Sequence, residues 1–394
     1  RVRRQRQMCI RDRSNTMIDK INIEVLKDFI QSGNINFLIG SGLSRPFLPV
    51  LGNIEKQMAS VKDAPVNKQE ALAAVLYKEY FEKVILPNFK PDYGSKNYTL
   101  THNNYCEFLN IWNDILHNRC SSLRSKQANI FSTNIDLFVE SAAETTGVEF
   151  NDGFIGSINP VFSEANFQKS VLKNSIHFQN STELPVFNLL KVHGSINWKN
   201  TDDKVCNDFN LSLVSEIEQA LSYKTSSFPA YKETNEDILK QLIGRHNFKG
   251  FIEAYNKMLL VNPTKKKFSE TVFDVHFYEL MRLMSNNLEK ENSLLFAMGF
   301  SFEDEHIRNI VKRALKTNPT LMVFIFSYQD SGKKRYLELF GENDSNLLII
   351  TPSEFNETNA LKEDDEIKEF DFRSINNVFK SISSKIPFHF KYDK

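Results

Sequence analysis

The chain has 394 residues, with 49 Lys and Arg against 49 Asp and Glu, and is 41% hydrophobic and 25% charged. These proportions exclude a collagen-like, coiled-coil or wholly disordered chain. The lack of any run of 18 uninterrupted apolar residues leaves no expected membrane span. Residues 1–16, RVRRQRQMCIRDRSNT, hold six Arg and one Asp and show no apolar periodicity. They read as a cloning or gene-assembly scar ahead of Met17, not as part of the fold. The remaining 43 basic and 48 acidic residues make a mildly acidic body. A stand-alone nucleic-acid binder is normally basic, so no direct nucleic-acid binding is expected.

In chain order, Ile23–Ser32 reads as a helix closed by Gly33, and the apolar run Asn36–Ile39 leads straight into Gly40-Ser41-Gly42. From about Asn53 to Asn118 the pattern is helical, with apolar positions at three- and four-residue spacing in 71–85 and 105–116. Asn129–Ser132 reads as a buried strand, followed by Thr133-Asn134-Ile135-Asp136 and a helix from Leu137. Val186–Val192 is a further strand, ending at His193-Gly194. Residues 199–255 are polar and mixed and read as helical, and Met258–Val261 as a strand. In the C-terminal third, Leu294–Met298, Leu321–Phe326 and Leu347–Ile350 are strands. Helices over about Glu303–Lys316 and Lys333–Phe340 separate them, the first with a stripe of Ile307, Ile310, Val311, Ala314 and Leu315. Short apolar strands alternating with amphipathic helices predict a doubly wound α/β domain over 17–394. Its sheet would be mostly parallel, with helical insertions at about 54–128 and 199–290.

The four cysteines, Cys9, Cys106, Cys120 and Cys206, form no C-x-x-C pair. That excludes a zinc ribbon or thioredoxin-type motif and fits a reducing cytoplasm. H-E-x-x-H, paired Cys and His spacing and EF-hand loops are all missing, so no metal is expected.

Ligands of a doubly wound sheet bind beyond the carboxyl ends of its strands. Four polar or glycine clusters fall there: Gly40-Ser41-Gly42-Leu43-Ser44, Thr133-Asn134-Ile135-Asp136, His193-Gly194 and Gly299-Phe300-Ser301. Gly40 and Gly42 would let backbone N–H groups approach a pyrophosphate, although two glycines alone also mark a plain strand-to-helix turn. Asn134 and Asp136 offer an amide and a carboxylate, or a helix cap. Ser301 and Asp304 form a capping box, a role compatible with ligand contact. His193 alone among eight His directly follows a buried strand, where imidazole is a ready general base. Lys265, Lys266 and Lys267 read as a solvated run.

Together, and in this order, GSGLS at 40–44, TNID at 133–136, HG at 193–194 and GFS at 299–301 followed by Glu303-Asp304 resemble the sirtuin superfamily. The likeness is strongest to its bacterial branch of NAD-consuming antiphage effectors, and LLVNPTKKKF at 259–268 shares it. It covers roughly residues 36–326. Two departures stand out. The chain cannot build the four-Cys zinc module of protein-deacylating sirtuins. It also reads Arg45-Pro46-Phe47-Leu48 where they carry Pro-Asp-Phe-Arg. Both weaken a deacylase reading.

The resemblance implies a Rossmann-like fold and NAD+ as substrate. It implies that Asn134 orients the ribose and the attacking water, that His193 acts as base, and that Asp136 holds the carboxamide end of nicotinamide. Gly40, Ser41, Gly42 and Ser44 would cradle the pyrophosphate, with Thr133 and Gly194 beside them, and Gly299 and Ser301 would line the adenosine side. The expected activity is hydrolysis of NAD+ to ADP-ribose and nicotinamide. Alternatives are a protein deacylase or ADP-ribosyltransferase, and a non-catalytic sensor of NAD or ADP-ribose. Because the chain ends soon after the sheet, with no room for a fused sensor domain, the resemblance also implies a homo-oligomer working with a hexameric ATPase of the HerA family.

Overall fold

The computed structural model describes residues 22–50, 66–119, 124–177, 180–222, 249–261, 275–341 and 345–386. Residues 1–16 read as a scar, Cys9, Cys120, the expected start of the first helical insertion, and Lys265–Lys267 with most of 259–268 lie outside them.

Seven strands make the central sheet: β1 (Asn34–Ile39), β2 (Gln127–Ser132), β3 (Phe150–Asn151), β4 (Val186–Lys191), β5 (Ser293–Met298), β6 (Met322–Phe326) and β7 (Leu347–Ile350). Their order is β7-β6-β5-β1-β2-β4-β3. Every pairing is parallel. This is the doubly wound, Rossmann-like arrangement that the alternation of apolar strands and amphipathic helices predicts. Six of the seven expected strands are present, with ends shifted by at most two residues, and β3 was not expected.

Alternation along each strand sends side chains to two covered faces. Ile35, Phe37, Ile130, Phe187, Phe296 and Phe324 pack on one face. There they meet helices α1 (Ile23–Ser32), α3 (Lys96–His117), α4 (Phe138–Thr146) and α11 (Phe372–Ser384). Leu38, Phe131, Leu190, Leu295 and Ile325 pack on the other face, against α7 (Val275–Leu288) and α8 (Glu305–Thr317). A third cluster joins α2 (Val66–Tyr80), α5 (Ser212–Ser222) and α6 (Lys249–Asn256). Ile135 and Ile196 anchor it to the loops that leave β2 and β4. After β6 come α9 (Gly332–Phe340) and, beyond β7, α10 (Pro352–Asn359).

The helical reading of 199–290 needs correction at its start. Trp198–Thr201 and Lys204–Asn207 form an antiparallel hairpin that joins Phe154–Ile155 and Val161–Phe162 in a separate four-stranded sheet. Its two-residue turn places Asp202 and Asp203 at φ 52 and 57, the left-handed pair that such a hairpin requires. Trp198 and Val205 point inward while their neighbours are polar, so the alternation was hidden among hydrophilic residues. Met258–Val261 is not a strand; it makes one isolated bridge, from Leu260 to Gly194. The first insertion also ends earlier than expected, because Gln127 and Ala128 already belong to β2.

A row of amides crosses four strands. Asn36, Asn129, Asn188 and Asn151 are direct register partners. The Asn129 amide donates to Asn36 Oδ1 at 2.9 Å, that of Asn188 to Asn129 Oδ1 at 3.1 Å, and that of Asn151 to Asn188 Oδ1 at 3.0 Å. A buried amide must be satisfied on both sides, and this row is satisfied only in one register. Asn129→Leu therefore leaves Asn36 and Asn188 each short of a partner. The expected cost is about 3 kcal/mol, read as a lower urea midpoint at unchanged denaturant dependence.

Candidate active site

The order of strands reverses between β1 and β5, the point at which a doubly wound sheet opens a crevice. The loops leaving these two strands touch backbone to backbone. Gly40 N–H donates to Met298 O at 3.1 Å, and Gly42 N–H to Gly299 O at 3.0 Å. A Cβ on Gly40 would sit 2.4 Å from Gly299 O, and one on Gly42 2.8 Å from Gly299 Cα. Gly299 itself holds φ +61. The three glycines are thus required for close approach. The expected phosphate cradle is corrected to this extent: the N–H groups of Gly40 and Gly42 are already bonded within the protein. In the 3-10 turn Ser41–Ser44 that comes next, Ser41 is exposed and Ser44 is buried.

At the end of β2, Thr133 is tied to β1, its N–H and hydroxyl both donating to Ile39 O. Asn134 is 7% exposed. Its side-chain nitrogen donates to Gly40 O and Ser44 Oγ, each at 3.2 Å, and lies 3.4 Å from the Tyr105 hydroxyl. A carbonyl only accepts, so Gly40 O fixes which end of the amide is NH₂. Ser44 Oγ donates to Asp136 Oδ2 at 2.6 Å, which leaves it to accept from Tyr105 at 3.0 Å. Burial holds the Tyr105 phenol well above its ordinary range, so it stays protonated and can donate. Every donor in this knot is placed. Asn134 Oδ1 is left buried without a hydrogen-bond partner.

Asp136 serves this knot from behind. Its second oxygen accepts from Phe138 N–H at 3.3 Å, and the residue is 3% exposed. Burial pushes its carboxyl up, while the neighbouring Lys191 ammonium and the Ser44 hydrogen bond pull it back. Each of its oxygens accepts one hydrogen bond from the protein.

The corner after β4 lies alongside. Val192 N–H donates to Ser132 O, and Ile196 N–H to Ile135 O at 3.2 Å, so the His193 and Asn134 loops are stitched together. His193 Nε2 lies 3.0 Å from Asp304 Oδ2, at ion-pair distance although not aligned as a hydrogen bond. Asp304 caps α8 and accepts from His306 and Ile307 N–H. The capping reading thus falls on Asp304, whereas the Ser301 hydroxyl accepts from Glu303 N–H at 3.4 Å. β1 and β2 run between the strands that carry His193 and Asp304. The contact between these two residues therefore bridges the ends of the strands that carry Gly40 and Asn134. Gly194, at φ +79, is explained by packing: a Cβ would meet Leu259 O at 1.9 Å. Ser301 stands at the exposed outer side, its carbonyl accepting from Arg335 at 2.9 Å.

Sequence reasoning missed three contributors. Tyr105 sits within a long helix and read as core. Lys191, 2% exposed, read as the end of an apolar strand. Asp304 read as a cap compatible with ligand contact, not as a partner of His193. None carries a local signal, because each acts through a partner remote in sequence. Among the described residues no group of His, Cys, Asp and Glu is placed to hold a metal ion, and no helix is long and apolar enough to cross a membrane.

Residues 128–350, more than half of the chain, match the family model described as SIR2-like domain. The match takes in the corners after β2, β4 and β5. No curated protein matches the chain.

The glycine geometry gives a graded expectation. Gly194→Ala combines left-handed strain with a backbone clash and is expected to cost about 3 kcal/mol. Gly147→Ala, also left-handed at φ +66 but with open space around it, is expected to cost about 1 kcal/mol. Urea unfolding of both variants measures the difference.

Proposed function

The chain belongs to the SIR2-like domain family, whose members are NAD-dependent enzymes, and on that premise we propose that it hydrolyses NAD+ to ADP-ribose and nicotinamide. The observation that carries this reading is the Asn134 carbonyl: a buried acceptor, locked in orientation by three partners on its nitrogen and left with none of its own. Such a group is set to receive a hydrogen bond from something the protein does not supply.

The bond to be broken joins ribose C1′ to the pyridinium nitrogen. Its electron pair goes to that nitrogen, so nicotinamide leaves neutral and no general acid is needed. The site must hold the ribose, stabilise an oxocarbenium-like transition state and direct a water to C1′. Asn134 Oδ1 accepts a hydrogen bond from that water or from a ribose hydroxyl. His193 takes the proton released as the new C1′–O bond forms, and the Asp304 carboxylate beside its Nε2 stabilises the ring once charged. The crevice between the β1 and β5 loops receives the pyrophosphate, met by Ser41 rather than by the N–H groups of Gly40 and Gly42. Gly299 and Ser301 border the adenosine side.

The proposal extends to control. An effector that destroyed NAD+ continuously would be toxic, and the resemblance assigns restraint and release to assembly with a HerA-family ATPase, in a cell that depletes its NAD+ on phage infection.

Release of nicotinamide from NAD+, followed chromatographically, tests the reading. Asn134→Ala and His193→Ala are expected to fold normally and to lose about 10²–10⁴-fold in kcat. Full cleavage by both variants overturns the assignment. Binding of NAD+ without release favours a sensor, and release only with an acylated peptide favours a deacylase. Asp304→Asn keeps the cap of α8 and is expected to lose about 100-fold in kcat, the lower end of a proton-transfer contribution.

A further inference from the structure

We propose that Lys191 is a positioning residue for the proposed NAD+ cleavage, a rivet that holds the Asn134 and His193 corners in a fixed mutual geometry. The inference rests on the hydrolase reading for its chemistry, but its structural basis is independent.

A lysine at 2% exposure in a strand otherwise built of Val, Phe, Leu and one Asn is costly unless each of its three donors is satisfied. Here each is, and by three different pieces of the site. Nζ lies 2.7 Å from Glu140 Oε1, in the first turn of α4. It donates to the main-chain carbonyl of Asp136, two residues beyond Asn134. It also donates to Ser195 Oγ at 3.0 Å, two residues beyond His193. The charged groups around it are therefore Glu140, the Asp136 carboxylate and, farther off, Asp152. Glu140 balances the charge, and the other two donors are spent on loops. Neutralising Glu140 alone would not require a side chain that reaches both corners. Lys191 also carries no catalytic proton in this arrangement, since nothing connects it to the reacting centre except the two loops it holds.

Charge balance and positioning separate in a double variant. Lys191→Met/Glu140→Leu replaces the buried pair with apolar side chains of similar size, an exchange often neutral for stability. The double variant is expected to fold, with a urea midpoint lowered because Asp136 O and Ser195 Oγ lose their shared donor. Its kcat for nicotinamide release is expected to fall about 100-fold, the penalty for misplacing reacting groups by about 1 Å, while KM for NAD+ moves less than about threefold. A folded double variant with wild-type kcat overturns the proposal. Ser195→Ala is the second variant, for the case in which the double variant does not fold. It removes only the acceptor on the His193 corner and keeps the Lys191–Glu140 pair. It is expected to lower kcat about tenfold at steady KM, the smaller loss of a single anchor, and an unchanged kcat overturns the proposal. Amide hydrogen exchange of Ser195→Ala without NAD+ reads the same question apart from chemistry. Residues 134–136 and 193–196 are expected to exchange at least about tenfold faster than in the wild type, as local opening becomes easier, and unchanged exchange overturns the rivet. If the wild type releases no nicotinamide, the hydrolase reading fails, and this exchange experiment still decides the inference by the same two outcomes.

Discussion

Two loops leaving neighbouring strands can meet backbone to backbone only where neither carries a Cβ, and the site is built on that condition. Gly40 and Gly42 lie against Gly299 at distances that no other residue permits. This contact sits where the order of strands reverses, the place at which a doubly wound sheet opens. From it the β1 loop turns inward and buries Ser44 against Asn134, while the β5 loop rises to bring Asp304 over to His193. The glycines that looked like a place for a ligand to approach are first a place for the protein to approach itself.

Around that contact the chemistry is organised at one remove. Tyr105 donates to Ser44, Ser44 donates to Asp136, and the amide of Asn134 is left a single orientation. A buried polar network of this kind selects one arrangement because every alternative strands a donor or an acceptor. The Asp136 carboxylate acts on that amide through Ser44. Burial pushes both Asp136 and Glu140 up, and Lys191 opposes the shift at each, so one lysine supports two carboxylates and two loops.

The strands and the four corners were readable from the amino acids because strands of a parallel sheet, covered on both faces, appear as uninterrupted apolar runs, and the residues just past each run border the crevice. Asn36, Asn129 and Asn188 were already visible in those runs, but nothing local says that three asparagines are register partners. The Trp198–Asn207 hairpin hid for a related reason: only Trp198 and Val205 face the core, and polar neighbours mask a period of two. Tyr105, Lys191 and Asp304 were unreadable in their roles because each depends on a partner far away in the chain, 29 residues for Tyr105 and Asn134 and more than a hundred for His193 and Asp304. Composition and periodicity find surfaces and ends; they do not find pairings.

Asp304 has two jobs in one side chain. It terminates α8 by capping His306 and Ile307, and it faces the imidazole of His193. The helix and the imidazole are therefore joined through one side chain. Tilting α8 about its packed stripe of Ile307, Val311 and Leu315 would carry the carboxylate with it and displace the ring by a comparable amount. A contact on the outer surface of that helix thus has a short lever to the His193 imidazole.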